Sequence, residues 1–248
     1  MEVIGELLKS KGYTRGSRMD KKQQIVKKIK YVPEIKGVYR SNYIELPSCI
    51  AEASGIKIFG KRIKSIVFST DVAIIRNTNA DAVIAVYPFT PQLLITQALM
   101  LASDVPVFCG VGGGHTTGKR SINIAVHAEF QGAIGVVVNS PTPNELVTEL
   151  KNAIDIPVVV TVVSEEEDIE GRIEAGASIL NVSGASKTAQ IVRRVREISK
   201  TIPIIATGGN SEKSILATIE AGANAITYTP SSTAEIFTET MKKYRNRF

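Results

Sequence analysis

Short apolar runs rich in β-branched residues recur along residues 63–248, and a segment with helical spacing follows each of them. The runs contain few polar residues, which is typical of parallel strands covered on both faces. Regular alternation of strand and helix indicates sequential β-α units with right-handed crossovers. The eight runs begin near Ile63, Ala82, Val105, Ala133, Ile156, Ser178, Ile202 and Asn224. Eight units predict an α/β fold, a closed (β/α)₈ barrel, in preference to a doubly wound open sheet.

Helix boundaries are also marked in the sequence. Three Ser/Thr-x-x-Glu patterns predict capping boxes that begin at Thr142, Ser164 and Ser232. The tetrapeptide Glu-Ala-Gly-Ala stands at 174–177 and again at 220–223. A glycine at such a position predicts the end of a helix just before the next strand.

Residues 1–62 precede the barrel and form an expected N-terminal extension. They hold 14 Lys and Arg against 6 Asp and Glu, whereas residues 63–248 hold 16 against 18, in a chain of net charge +6. Most of this basicity lies in residues 15–30, and within residues 19–34 we expect a helix whose apolar stripe, Ile25, Val26 and Ile29, packs on the barrel. Its lysines would remain in solvent or lie near an anionic substrate. No stacking aromatics are interleaved with the lysines, so a nucleic-acid partner is not expected. Residues 56–59 predict a short strand that plugs the bottom of the barrel.

Cysteine content and hydropathy limit the cellular setting. The two cysteines, Cys49 and Cys109, lack metal-binding spacing and fit a reducing compartment. The apolar runs are too short to cross a bilayer and no signal peptide is visible, so we expect a cytoplasmic protein without a membrane partner. No carboxylates and histidines converge at the strand ends, so no metal is expected.

The strongest signal for a binding site lies in residues 202–237. Two strands there run into small-residue turns, TGGNS at 207–211 and TPSS at 229–232, and each turn leads into a helix. Such turns present bare N–H groups at the positive end of a helix dipole, which suits a phosphate. The candidate phosphate-binding residues are Gly208, Gly209, Asn210, Ser231 and Ser232.

A glycine-rich loop, CGVGGGHTTGKR at 109–120, follows the third strand. It superficially matches a nucleotide-triphosphate loop, but Arg120 stands where that motif has Ser or Thr, so we do not expect this function. The functional interpretation is a mobile lid or anion cradle that presents His115, Lys119 and Arg120 to a substrate. The alternative is a flexible turn with His115 in solvent.

Few ionisable residues stand at the strand ends where barrel enzymes place their chemistry. His115 and Asp71 are the candidate proton-transfer pair, although Asp71 could instead cap a helix. Cys109 is a candidate acid/base or nucleophile, and the alternative is a small apolar strand residue. Asn139 and Asn181 could orient a substrate. No lysine stands at a strand end, which argues against a Schiff-base aldolase.

Residues 202–237 resemble the ribulose-phosphate-binding and aldolase-type TIM barrels. Gly208 and Gly209 match the glycine turn that follows strand seven in that superfamily, and residues 229–232 stand where it has a Gly-Ser/Thr pair. The resemblance implies an enzyme for a small phosphorylated metabolite, an isomerase, epimerase or lyase that transfers a proton next to a carbonyl. None of the superfamily's catalytic sets carries over.

Two alternatives to this function remain open. Barrels that bind flavin mononucleotide (FMN) share a similar glycine pattern, so an FMN-dependent oxidoreductase is the first, although no cofactor is otherwise expected. A non-catalytic phosphometabolite-binding protein is the second, because ionisable groups are sparse. A homo-oligomer is compatible with each of these functions.

Overall fold

A computed structural model describes residues 33–35, 37–38 and 43–246. The chain divides into two compact units, residues 1–38 and 39–248. Residues 43–62, from the expected extension, therefore fall in the same unit as the barrel. The basic segment 15–30 and the helix stripe expected at Ile25, Val26 and Ile29 lie outside the described residues.

The first two strands of the second unit form a hairpin rather than part of the barrel. Strand β1 (Ile56–Ile58) pairs antiparallel with β2 (Lys61–Ile63). Phe59 and Gly60 both have positive φ in the turn between them. The strand predicted over residues 56–59 is thus confirmed, and Ile63 belongs to the hairpin rather than to the first barrel strand.

Eight parallel strands close into a barrel, which confirms the predicted fold class. The strands are β3 (Ser65–Phe68), β4 (Ala82–Ala85), β5 (Val107–Gly112), β6 (Gly135–Val138), β7 (Val158–Val162), β8 (Ile179–Val182), β9 (Ile204–Thr207) and β10 (Ala225–Tyr228). Closure is made by β10 beside β3, with Ile226 opposite Ser65 and Tyr228 opposite Val67. Every predicted run thus supplies one barrel strand.

Helices surround the barrel, and one follows each barrel strand. They are α1 (Val72–Arg76), α2 (Leu93–Ala102), α3 (Gly118–Phe130), α4 (Asn144–Ala153), α5 (Ile169–Glu174), α6 (Thr188–Ile198), α7 (Glu212–Glu220) and α8 (Thr233–Arg245). Short 3₁₀ helices occur at Ser48–Glu52 and Ala185–Lys187. Within the described part of the chain, no helix is long and apolar enough to cross a membrane.

Alternation along the strands separates two apolar cores. Val67, Val83 and Val160 belong to the larger core, which also contains the inner faces of the helices. Ile66, the neighbour of Val67 in β3, belongs to the core inside the barrel, and so does Phe108 of β5. Each strand is therefore buried on both faces, which explains why the runs read as continuous apolar stretches.

The β1–β2 hairpin completes the inner core at the end where the strands begin. Ile56, Ile58 and Ile63 are buried together with the barrel-interior residues. The amide of Gly55 donates to the carbonyl oxygen of Asn224, just before β10, at 2.7 Å. The hairpin therefore plugs this end of the barrel with apolar side chains.

Helix ends follow the predicted signals only in part. Ser232 and Glu235 form the predicted capping box of α8, and the glycines of both Glu-Ala-Gly-Ala segments have positive φ after helices. The boxes predicted at Thr142 and Ser164 are wrong. Helix α4 starts after Pro143 without a side-chain cap, and α5 is capped by Asp168. Pro143 takes the cap position of α4 and Asp168 that of α5, so both helices begin later in the chain than predicted.

We expect Ile63→Ala to lower the free energy of unfolding by about 2–5 kcal/mol, because it leaves a cavity in the plug of the barrel. Urea denaturation of parent and variant measures this difference. Lys61→Ala, on an exposed position of the same strand, is the matched control and should change stability by about 0.5 kcal/mol or less. Equal midpoints for Ile63→Ala and the parent would show that the hairpin does not contribute to barrel stability.

Candidate functional site

A cavity of about 240 Å³ opens at the end of the barrel where the strands finish, and we call it the mouth cavity. Among the described residues, none that lines it is ionisable. Apolar side chains form one part of its wall, and hydroxyl and amide groups form the rest. The lining consists of Phe68, Ile84, Val86, Val137, Asn139, Thr161, Asn181, Ser183, Thr207, Thr227 and Thr229.

Hydrogen bonds order part of this lining. Asn181 Nδ2 donates to Thr161 Oγ1 at 3.3 Å, and Thr207 Oγ1 donates to Ser183 Oγ at 3.3 Å. Thr227 is only 4% exposed, and its Oγ1 has no partner among the described residues. A buried hydroxyl without a partner costs about 1–3 kcal/mol, which a polar group of a ligand could recover.

The two asparagines expected to orient a substrate both reach this cavity. Asn139 follows β6 and Asn181 lies in β8, and the alternation of their strands turns both inward. The structure therefore brings this pair together, and its role in substrate binding stays a prediction.

A second cavity of about 440 Å³, which we call the side cavity, adjoins the mouth cavity. Val86 and Asn139 line both. The loop after β4, residues 86–91, forms one wall, and the glycine-rich loop with exposed His115 forms another. The candidate site residues did not include the β4 loop. Its signal in the sequence is the aromatic and proline cluster Tyr-Pro-Phe-Thr-Pro directly after an apolar strand.

Packing, rather than mobility, explains the first glycines of the glycine-rich loop. Gly113 has a φ of +100°, and a Cβ there would clash with Thr142 Oγ1 and with the backbone of Asn139. The carbonyl oxygen of Thr116 accepts from the amide of Gly113 at 3.0 Å and from Ser121 Oγ at 3.1 Å. This part of the loop is therefore fixed against β6 and α3, and the mobile lid stays a prediction for the residues around His115.

Lys119 and Arg120, the two basic residues of this loop, do not line the side cavity with His115. Lys119 and Arg120 lie in the first turn of α3. Arg120 lines a separate cavity of about 260 Å³ between α2 and α3, together with His127. Neither cation lines the mouth cavity or the side cavity, so the anion cradle predicted from the loop is not formed in this structure.

Asp71 acts as the cap of α1, which confirms the alternative role considered for it. Its Oδ1 accepts from the amides of Ala73 at 2.8 Å and Ile74 at 3.4 Å. A hydrogen bond with Thr233 lowers the pKa of this carboxyl, and the two amide bonds act in the same direction. Asp71 lines a rim cavity of about 340 Å³ rather than either cavity that contains Asn139, so the structure does not pair it with His115.

The turn after β9 offers free amides. Gly209 has a φ of +76°, and both Gly209 and Asn210 are exposed. No described protein group accepts a hydrogen bond from their N–H groups. A Cβ at Gly208 would lie 2.7 Å from Ile226 Cγ2, so glycine is also required there for packing. This turn keeps two donors available for an anion.

The turn after β10 behaves differently. The carboxylate of Glu235 accepts from the amide of Ser232 at 2.7 Å and from its hydroxyl at 2.9 Å, and these bonds lower the pKa of Glu235. Glu235 shares the rim cavity with Asp71, so two carboxylates face it. The donors of Ser232 are occupied and the local charge is negative, which argues against Ser232 as a phosphate ligand. Ser231 is exposed and lines none of the four cavities.

Cys109 faces away from the site. It lies in β5 between inward-facing Phe108 and Gly110, and it belongs to the outer core under the helices. Burial raises the pKa of its thiol to about 12, so almost no thiolate forms at neutral pH. The structure contradicts an acid/base or nucleophilic role and supports the alternative of a small apolar strand residue.

Among the described residues, no group of three or more histidine, cysteine, aspartate or glutamate side chains could hold a metal ion. Metal ligands in proteins come mainly from these side chains.

We expect Cys109 in the folded protein to resist iodoacetamide at pH 8, because its raised pKa and burial leave little reactive thiolate. Half-buried Cys49, whose pKa burial also raises, should react faster. Peptide mass spectrometry measures both rates, and urea-unfolded protein, in which both thiols should react alike, is the control. Rapid labelling of Cys109 in the folded protein would contradict this placement.

No family model and no curated protein matches the chain, but many solved structures share its fold. Phosphoenolpyruvate phosphomutase from Streptomyces platensis subsp. rosaceus is 12% identical with a TM-score of 0.58, covering 73% of this chain and 81% of that one. Thiamine phosphate pyrophosphorylase from Pyrococcus furiosus is 18% identical with a TM-score of 0.50, covering 66% and 84%. A mandelate oxidase variant with a monooxide FMN adduct is 16% identical with a TM-score of 0.56, covering 71% and 68%. At these identities the likeness shows the fold alone, and the chain has the (β/α)₈ barrel fold.

Proposed function

We propose that the protein is an enzyme that binds a small phosphorylated metabolite across the open end of its barrel. The observation that carries this proposal is the pair of unused amides at Gly209 and Asn210, two and three residues beyond Thr207 of the mouth cavity. A phosphate held by these amides would place the rest of the molecule over the neutral mouth cavity. The glycine turn, the helix dipole of α7 and the cavity then act on one ligand.

The phosphate is assigned to the β9 turn rather than shared with the β10 turn. Glu235 and Asp71 carry negative charge at the rim beside β10, and their hydrogen bonds hold both pKa values below the ordinary range. An anion at that rim would be repelled. Glu212 also stands in the first turn of α7, but no described group accepts a hydrogen bond from the amides of Gly209 and Asn210. These amides therefore stay available to an anion, unlike the donors of Ser232.

The lining of the mouth cavity points to the chemistry of the rest of the ligand. Hydroxyl and amide groups such as those of Thr227 and Asn181 bind hydroxyl or carbonyl oxygens well. A carboxylate or ammonium group would lose its hydration there without meeting an opposite charge, which is unfavourable. We therefore propose a phosphorylated hydroxy or carbonyl compound whose remaining part is neutral.

His115 is the residue that we propose for proton transfer. It lines the side cavity, which adjoins the mouth cavity at Val86 and Asn139. An imidazole side chain can both donate and accept a proton in general acid–base catalysis. The carboxylate of Asp71 instead accepts hydrogen bonds from the first amides of α1, which keep it ionised. A proton-transfer step next to a carbonyl, with Asn139 orienting the oxygen, fits an isomerase or lyase.

A flavin-dependent oxidoreductase is the second candidate. The neutral lining of the mouth cavity would also suit an uncharged ring system, and the β9 turn could take the phosphate of FMN. A purified protein that is yellow and releases flavin on denaturation would replace the first proposal with this one. A colourless protein that binds no added FMN would remove it.

We expect Asn210→Asp to weaken binding of inorganic phosphate by at least about tenfold, or about 1.4 kcal/mol, because it adds negative charge beside the free amides. Isothermal titration calorimetry measures the affinity. Asn123→Asp makes the same charge change on exposed α3 and should leave the affinity unchanged. Equal affinity of Asn210→Asp and parent would remove the phosphate site from this turn.

We expect His115→Ala to lower turnover by about a hundredfold or more, because positioned acid–base groups contribute about 10²–10⁴ in rate. The assay is a panel of phosphorylated sugars and keto compounds with product detection by mass spectrometry. His127→Ala changes the only other histidine and should retain activity. If His115→Ala is as active as the parent, another group carries the proton, and if no substrate turns over, the protein is a binding protein.

A further inference from the structure

The side cavity is larger than the mouth cavity, and the proposed function leaves it without an assigned occupant. It measures about 440 Å³ against about 240 Å³. A protein cavity of about 150 Å³ accommodates benzene, so the side cavity has room for one ring or two fused rings. Among the described residues that line it, none is aspartate, glutamate, lysine or arginine, and His115 is the only basic side chain. It therefore has no permanent charge to replace the hydration of an ionic group, and we expect a neutral occupant.

One wall of the side cavity is bare backbone. Gly110, Gly112 and Gly114 line this wall, whereas Val111 between them is buried in the outer core under the helices. Alternation along the segment thus turns three glycines toward the cavity. At about 3.3 Å per residue, the wall is at most about 13 Å long. Because none of the three glycines has a side chain, this wall is flat.

The β4 loop forms another wall with two aromatic rings and two prolines. The hydroxyl of Tyr87 accepts from the amide of Gln92 at 2.9 Å, which ties the loop to the start of α2 and holds the ring of Tyr87 in the wall. Phe89 also lines the cavity and is 73% exposed. Aromatic faces pack well against a planar ring, and a ring stacked there would cover part of Phe89.

We infer that the side cavity binds a neutral planar ring that forms part of the phosphorylated substrate, an inference that rests on the proposed function. The ring would lie between the glycine wall and the aromatic wall. The amides of Gly114 and His115 donate to no described group, so a carbonyl oxygen or ring nitrogen at the edge of the ring could accept from them. The substrate class is therefore a phosphorylated compound that carries an aromatic or heteroaromatic ring.

The strand order places this ring across the barrel from the phosphate. The glycine-rich loop follows β5 and the turn with Gly209 follows β9, and these strands are four apart in either direction around the eight-stranded barrel. The mouth cavity joins the side cavity at Val86 and Asn139. A substrate with phosphate at one end and a ring at the other would span the mouth, with its central atoms beside Asn139 and its ring beside His115.

Protein-observed NMR with benzamide tests the ring site in the absence of any phosphorylated compound. Benzamide is neutral and planar and has a carbonyl oxygen beside its ring. We expect it to shift the amide signals of Gly114 and His115 with a dissociation constant of about 1–10 mM, a range typical of small fragments. Cyclohexanecarboxamide has the same amide on a puckered ring and should bind about threefold to tenfold more weakly. Absence of benzamide binding, or equal affinity for the two amides, would overturn the inference.

Variants of the two walls test where the ring lies. Phe89→Ala should weaken benzamide binding about threefold to tenfold, because it removes a stacking face. Gly114→Leu should weaken it about tenfold or more, because the added side chain obstructs the flat wall. A Cβ at Gly114 would meet no atom within 4 Å, so this variant should fold. Phe130→Ala removes another exposed phenylalanine, at the end of α3, and should leave the affinity unchanged. Circular dichroism checks the folding of all three, and parent-like binding by both wall variants would contradict the inference.

Competition separates failure of this inference from failure of the proposed function. Inorganic phosphate should bind without displacing benzamide, because the two sites lie on opposite sides of the barrel. Displacement by phosphate would make the glycine-rich loop an anion site, and displacement by FMN would assign the ring to a flavin. Either result would overturn the inference. If phosphate binds at Gly209 and Asn210 but benzamide does not bind, the inference alone fails. If benzamide binds and phosphate does not, the proposed function fails and the ring site stands.

Discussion

Closure of the parallel sheet is the constraint on which the rest of the structure depends. Pairing of β10 with β3 in a single register leaves no edge open among the eight barrel strands. Because closure also fixes which residues alternate inward, it decides the chemistry of the site. Asn139, Thr161 and Asn181 turn into the mouth cavity, whereas Cys109 turns outward into the core beneath the helices. A shift of one residue in any strand would exchange these roles.

The site that results keeps charge at its rim and neutrality at its centre. Hydroxyls and amides line the mouth cavity, while the carboxylates of Asp71 and Glu235 stand beside β10 and the free amides of Gly209 and Asn210 stand beside β9. Such a division would orient an asymmetric ligand, because a phosphate is attracted to one side of the rim and repelled from the other. The neutral centre would then accept the uncharged end.

The sequence was sufficient for the fold because hydrophobic periodicity and the glycine-marked helix ends are local signals. It was insufficient where long-range contacts decide. Phe108 and Cys109 lie in a run that is apolar on both faces, so their directions depend on register. Gly113 closely approaches Thr142, which belongs to a separate loop. The glycine is therefore required for packing, whereas in the sequence a run of glycines suggests a mobile loop. The capping box at Ser232 was predictable, but not that its Glu235 would line the same rim cavity as Asp71.

A crystal structure of the protein with a bound phosphorylated sugar or keto compound would test the central claim most directly. The account predicts that phosphate oxygens lie within hydrogen-bonding distance of the amides of Gly209 and Asn210. It also predicts that the neutral end of the molecule contacts Thr227 or Asn181. A phosphate bound instead by Lys119 and Arg120, or beside Glu235 at the β10 turn, would contradict it.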